Sequence, residues 1–599
     1  MRFAPDGVSA GQESGLPAWD LRDFYQGLDD PRIEAELKDA AGGAVAFEAE
    51  FKGRLAALSG AELGAAIARY EALAEAMGKV SSYAQLLYAA DSDSPANGQF
   101  YQTVSERVTD ISTHTLFFSL ELNRLEEGVL AEKLADPALA RYAPWIRDSR
   151  MFLPHQLSDE LEKLLMEKDV TGHAAWSRLF DETMSGMRVE VAGESLILSA
   201  ALNKLSDRDR GVREAAGKAV GQALEGREKL FALITNTLAK DKAIEDEWRH
   251  YATPEAFRNL SNMVEDEVVA ALVSAVRANY GRLSHRYYAL KAKWLGLETL
   301  EHWDRNAPLP KDEDRAIAWP EAKRLVLEAY DAFSPELAKT IEPFFERGWI
   351  DAAPKAGKAG GAFAHPTVPS VHPYVLMNYH GKARDVMTLA HELGHGAHQV
   401  LAGGRGYFMS NTPLTLAETA SVFGEMLTFR RLLDAETDPG ARRILLASKV
   451  EDMLNTVVRQ IAFYTFEQRV HEERRQGELV PERLGEIWLE VQRESLGEVF
   501  NFTPEYRMFW AYIPHFIHTP FYVYAYAFGD CLVNALYGAY QQTADKAAFR
   551  AEYKRMLEAG GVKRHKELLA PFGLDASDPE FWTRGLDVIS GFIDELERA

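Results

Sequence analysis

Residues 388–404 read TLAHELGHGAHQVLAGG, and this stretch predicts a helix running from Val386 to about Leu401. Asp385 is placed to cap it, and Gly403 with Gly404 supplies the stop signal. On such a helix His391 and His395 fall on one face, one turn apart, where both imidazoles can reach one tetrahedral zinc ion. Glu392, between them, is placed to take a proton from a metal-bound water. His398 continues the stripe but lies seven residues beyond His391, about 10 Å along the axis. That is too far for both to hold one ion at about 2 Å, so His398 is assigned to a place behind the ligands or to a pocket wall.

Moving toward the C-terminus, NTPLTLAETASVFGEMLTF (411–429) predicts a second helix, capped by Thr412 or Asn411 and opened by Pro413. A helix–turn–helix brings Glu418 back over the first helix as third metal ligand. Glu425, two turns later on the same face, is placed to hydrogen-bond a ligand histidine. On the other side, a Gly-rich break at 352–385 contains YVLMNY, a strand candidate. A strand there makes a small β element beside the site and offers its backbone edge to an extended peptide.

The chain has 16 histidines. Eight of them (365, 372, 380, 391, 395, 398, 515 and 518) fall in two short windows. The second window, YIPHFIHTPFYVYAYAFG (512–529), joins His515 and His518 to Tyr512, Tyr522, Tyr524 and Tyr526. Phenol and imidazole donors suit a site where an oxyanion develops when water attacks an amide.

The rest of the 599 residues is dominated by helical periodicity, as at 61–90 and 161–184. A short hairpin is expected at 187–200 around Ala-Gly-Glu, with a boundary near residue 200. Residues 1–20 read as a flexible polar lead-in, without the basic and apolar regions of a secretory signal. The net charge of −23 argues against a nucleic-acid binder, since phosphate is held by clustered Lys and Arg. Only Cys531 is present, so no intramolecular disulfide forms, and the cytoplasm is the expected location. The uncharged run 508–529 contains two prolines and four tyrosines, which suits a buried wall better than a membrane span. A chain of this size can cover its own core, so the oligomeric state stays open.

Taken together, HPYVLMNYHGKARDVMTLAHELGHGAHQ (372–399), LAETASVFGEML (416–427), IPHFIHTPFYVYAYAFG (513–529), WDLRDFYQGLDDP (19–31) and LSDELEKLLMEKDVTGHAAWSRLFDE (157–182) resemble the oligoendopeptidase F branch of the thimet oligopeptidase family of zinc metallopeptidases. The resemblance implies a mostly α fold whose two lobes enclose a deep substrate channel. It implies a helical oligoendopeptidase F region at 21–200 and a catalytic region at 201–599. It also implies one zinc ion held by His391, His395 and Glu418, with Glu392 as the catalytic glutamate. His515, Tyr522 and Tyr526 match the groups that bind substrate and stabilise the oxyanion, with His518 and Tyr524 as alternatives. The implied activity is a metalloendopeptidase acting on short unfolded oligopeptides.

Overall fold

A computed structural model describes residues 15–169, 171–310, 316–355 and 357–598. As expected, the fold is mostly α. Its helices start where the sequence places side-chain caps. Ser59 and Glu62 form a reciprocal capping box at the head of Gly60–Ala90, the Ser59 N–H donating to Glu62 Oε2 at 2.8 Å and the Glu62 N–H to Ser59 Oγ at 3.3 Å. Asp30, Ser94, Ser334 and Asp438 each cap a helix whose first residue is proline, a position that loses nothing from a missing N–H. The periodic stretch at 161–184 forms two helices, Asp159–Asp169 and His173–Ser185, with Gly172 heading the second.

The chain forms two compact units. The first takes Met1–Met151, Asp314–Ala435 and Thr543–Phe572; the second takes Phe152–Glu313, Glu436–Gln542 and Gly573–Ala599. These units interleave along the chain, whereas 21–200 and 201–599 are divisions of the sequence. In the first unit, Phe47, Leu63, Ile67, Phe118, Leu122 and Tyr142 build one apolar cluster. Of the lead-in, residues 1–14 lie outside the described residues. Beyond them, the Ala352 N–H donates to the Pro17 carbonyl and the Asp20 N–H to that of Gly348.

In the second unit, the helix Tyr524–Gln542 packs on Pro579–Arg598 so closely that a Cβ on Gly585 would lie 2.3 Å from the Cys531 carbonyl oxygen. No helix among the described residues is long and apolar enough to cross a membrane. Asp304 is fully buried there, bonded by Arg210 (2.8 Å) and Arg213 (2.9 Å).

Strands are short. The expected hairpin forms from Arg188–Val191 and Glu194–Ile197, turned by Ala192 and Gly193, both at positive φ, as the twist of a two-residue hairpin demands. In the first unit, Ile350–Asp351, Tyr374–Leu376 and Phe363–His365 make a three-stranded sheet in that spatial order. The strand expected within YVLMNY is therefore the central one, paired on both sides. Its edge is not available to a ligand; the strand next to the His391 helix is Phe363–His365.

Candidate metal centre and active site

The helix Ala383–Ala402 is slightly longer than its sequence signals suggest. Asp385 sits within the first turn, where its carboxylate accepts the N–H groups of His380 (2.7 Å) and Lys382 (3.0 Å). Gly403 keeps a right-handed conformation and leads into a short 3₁₀ turn. The break falls at Gly406, φ +89°, where a Cβ would lie 2.7 Å from Glu71 Oε1. Leu389, Leu393 and Ala397 are buried and embed one side of this helix.

The second helix, Leu414–Ala435, begins after Pro413, whose carbonyl accepts the Leu416 N–H. The Thr412 hydroxyl lies 3.3 Å from His398 Nε2. The two helices cross at Gly394, where a Cβ would lie 2.4 Å from the Ala420 carbonyl oxygen. This x position of His-Glu-x-x-His admits no side chain without moving the partner backbone. Two buried phenols tie the crossing in place, Tyr330 donating to the Ala390 carbonyl and Tyr553 to that of Thr419, each at 2.8 Å.

The crossing brings His391, His395 and Glu418 together, with ligand atoms all within 4.8 Å of one another. Glu418 Oε2 lies 3.4 Å from His391 Nε2 and 3.5 Å from His395 Nε2. Bonds of 2.0–2.2 Å in a tetrahedron separate neighbouring ligand atoms by about 3.3–3.6 Å, so this donor set fits zinc. Behind it, His391 Nδ1 lies 3.1 Å from Glu425 Oε2, the placement expected of Glu425. Ser421 donates to Glu418 Oε2 at 2.7 Å. Its role was missed in the sequence, although its i+3 spacing from Glu418 is a signal. His398 is buried beside Thr412 and is not part of the trio.

Charge around the trio favours a cation. Burial alone would lower the His391 pKa, yet Glu425, Glu418 and Glu392 together raise it to about 9. Burial pushes the Glu392 carboxyl up to about 7, opposed by His391 and by the backbone N–H of Ala364 on the outer strand. The Ala364 carbonyl accepts from Gln399 Nε2 at 3.3 Å, so the outer strand is fastened to the helix at both Glu392 and Gln399.

Two other histidines of the first window serve structure. His372 stacks on Trp349 and bonds Asp23, and His365 accepts the Thr367 N–H. The second window lies in the second unit. There His515 Nε2 is 3.3 Å from the Tyr526 hydroxyl, and the Tyr522 and Tyr526 rings are 5.3 Å apart. Tyr526 is 38% exposed, whereas Tyr524 is fully buried with its hydroxyl accepting from Asn262 (2.9 Å). His518 bonds Asp181 at 2.9 Å. His515, Tyr522 and Tyr526 thus lie together, the first two half-buried and Tyr526 exposed, while Tyr524 is turned into the interior.

The chain is similar to known proteins. The sequence profile of peptidase family M3 matches residues 204–588, and that of oligopeptidase F matches 121–188. Oligopeptidase PepF of Bacillus subtilis (strain 168) is 28% identical over 92% of this chain and 82% of its own length. An oligoendopeptidase F homolog of Borreliella burgdorferi is 26% identical over 88% and 90%. In structure, oligoendopeptidase-F from Enterococcus faecium superposes with a TM-score of 0.68, at 22% identity and coverage of 95% of this chain and 97% of that one. A Chlamydophila abortus crystal structure gives a TM-score of 0.84 at 23% identity, covering 97% of each.

Proposed function

This chain belongs to peptidase family M3 and is a metallopeptidase, and from that premise we propose that it is a zinc-dependent oligoendopeptidase cutting internal bonds of short, unfolded peptides in the cytoplasm. The observation that carries the reading is the convergence of His391, His395 and Glu418 at tetrahedral spacing beside a buried Glu392. On the same reading residues 201–599 form the catalytic region and 21–200 the N-terminal oligoendopeptidase F region.

His391, His395 and Glu418 would hold the ion, and Glu425 fixes the tautomer of His391 so that Nε2 keeps its lone pair. Bound zinc supplies Lewis-acid polarisation of the scissile carbonyl and acidifies water. Glu392 takes the proton of the attacking water on its carboxylate and passes it to the leaving nitrogen. A proton affinity near neutrality suits a group that must both accept and release. His515, Tyr522 and Tyr526 bind the substrate and donate to its carbonyl oxygen as negative charge develops there.

The test is mass-spectrometric cleavage of a defined peptide of about 10–15 residues, long enough to engage a strand-like site, by zinc-loaded protein beside Glu392→Gln. Internal cuts by the parent and none by the variant are expected. Removal of single residues from one end, or an intact peptide with both proteins, overturns the reading.

A further inference from the structure

The turn that leads into Tyr522 is built against its own residue preferences. The Tyr522 N–H donates to the Thr519 carbonyl at 3.1 Å, closing a four-residue turn with Pro520 second and Phe521 third. Phe521 has φ +61°. A turn with proline second and a positive φ third ordinarily carries Gly or Asn there, because a Cβ is strained in that region. An aromatic residue persists in it only where the surroundings over-determine it.

Those surroundings are specific. Phe521 is 0% exposed, its ring against His471 (4.8 Å) and Tyr464 (6.0 Å). Its N–H donates to Glu467 Oε1 at 2.9 Å. At the opposite edge of the same peptide unit, the Pro520 carbonyl accepts from Arg258 Nε at 3.2 Å, and the Arg258 guanidinium lies 5.7 Å from the centre of the Tyr522 ring. Arg258 and Glu467 both line a cavity of about 310 Å³ whose lining residues all belong to the second unit.

Glu467 is expensive where it stands. It is 2% exposed, on the helix Val458–Arg474, and its Oε2 is buried with no hydrogen-bond partner among the described residues. Burial pushes its carboxyl up to about 8. Stability alone would favour an apolar residue of the same shape, since a buried polar atom left unpaired costs free energy. What the carboxyl does accomplish is to grip the backbone of the one strained residue ahead of the phenols.

We propose that Glu467 and Arg258 are positioning residues for the Tyr522–Tyr526 segment, holding the two edges of the Pro520–Phe521 peptide unit, and with it the turn, so that both phenols meet the substrate in a fixed geometry. This rests on the reading of Tyr522 and Tyr526 as substrate-binding groups.

The test combines amide hydrogen exchange over residues 519–526 with steady-state kinetics of zinc-loaded Glu467→Met, which keeps the shape and removes the acceptor, and Glu467→Gln, which restores one. In Glu467→Met, exchange should quicken and kcat fall about tenfold or more with KM and zinc content near the parent's, an interaction felt in the transition state alone. Glu467→Gln should recover most of both. Placed on the Tyr522→Phe/Tyr526→Phe background, Glu467→Met should slow turnover no further, since the change acts through those two phenols. Unchanged exchange, or losses that multiply on that background, overturns the proposal. Tyr526→Phe and Tyr522→Phe alone separate the premise from the inference. Parent-like turnover in both overturns the reading of the tyrosines; slow Tyr526→Phe beside parent-like Glu467→Met overturns the positioning role. If Glu467→Met does not accumulate folded, Arg258→Gln makes the same measurement from the Pro520 side.

Discussion

His391 presents its two ring nitrogens to two different carboxylates, Nδ1 to Glu425 at 3.1 Å and Nε2 to Glu418 at 3.4 Å. The first contact stores the ring proton on Nδ1 and leaves Nε2 as a lone-pair donor. Glu425→Ala should therefore weaken zinc binding about 10–100-fold, as loss of such an orienting partner does, with Glu425→Gln less affected. Zinc retention against a graded chelator reads this directly; parent-like retention in the alanine variant would falsify the orienting role.

Glu392 and Glu418 lie in one pocket but should fail differently. Glu392→Gln should keep its zinc and lose turnover by about 10²–10⁴-fold, the range of a lost general base. Glu418→Ala should lose the metal itself. Measuring metal content and kcat on the same samples separates the roles, and a zinc-free Glu392→Gln would reassign that residue to the ligand set.

Gly394 carries the helix crossing. A methyl there meets the Ala420 carbonyl oxygen at 2.4 Å and Ser421 Cα at 2.6 Å, backbone atoms that cannot turn aside. Gly394→Ala should cost about 1–3 kcal/mol or more by overpacking and displace Glu418, lowering both melting temperature and zinc affinity. Gly403, with open space around its Cβ position and a right-handed φ of −54°, is the control. Gly403→Ala should be neutral or stabilising by about 0.4–1 kcal/mol.

These contrasts mark what the sequence made legible. His391, His395 and Glu392 follow from a five-residue spacing on a helix, and Glu418 and Glu425 from a second helix whose period returns them to one face. That information is local, and the structure keeps it. Tyr330, Tyr553 and Ala364 come from 60, 134 and 28 residues away from the backbone or side chain they meet, a separation that no local period reports. The strand in YVLMNY was visible as an apolar run, but its place at the centre of the sheet depends on two partners that are only two and three residues long. The grip on the Pro520–Phe521 peptide unit by Glu467 and Arg258 left no trace in the pattern at all.

Tyr524 and Tyr526 are two residues apart and in opposite environments. Tyr526 is exposed beside His515, so Tyr526→Phe should lower kcat by the equivalent of about 2.7–4 kcal/mol, the cost of one lost oxyanion donor. Tyr524→Phe removes one hydrogen bond of the buried Asn262 amide and should lower stability by about 0.5–1.5 kcal/mol while folded molecules keep their turnover. Denaturant titration and kcat per folded molecule distinguish the two, and the reverse pattern would exchange their roles.

Asp304 supplies a pH test independent of the metal. Burial acts to raise its pKa, but hydrogen bonds from Arg210 and Arg213 and from the Glu301 N–H outweigh that and hold it below 3.8. A carboxyl depressed in the folded state contributes stability that is fully present above its unfolded pKa of about 3.9 and lost as pH falls through the folded value. The parent should therefore lose stability below about pH 4 more steeply than Asp304→Asn, which has no such proton to take up. At pH 7 the order reverses in magnitude: the variant should be weaker by about 3–5 kcal/mol, because Arg213 is left buried without its counter-charge. Urea denaturation of both proteins from pH 7 down to about pH 3.5, the interval that spans the unfolded pKa, gives the difference directly. A constant gap across that range would mean that Asp304 titrates alike in both states and that its two arginines do not hold its proton affinity down.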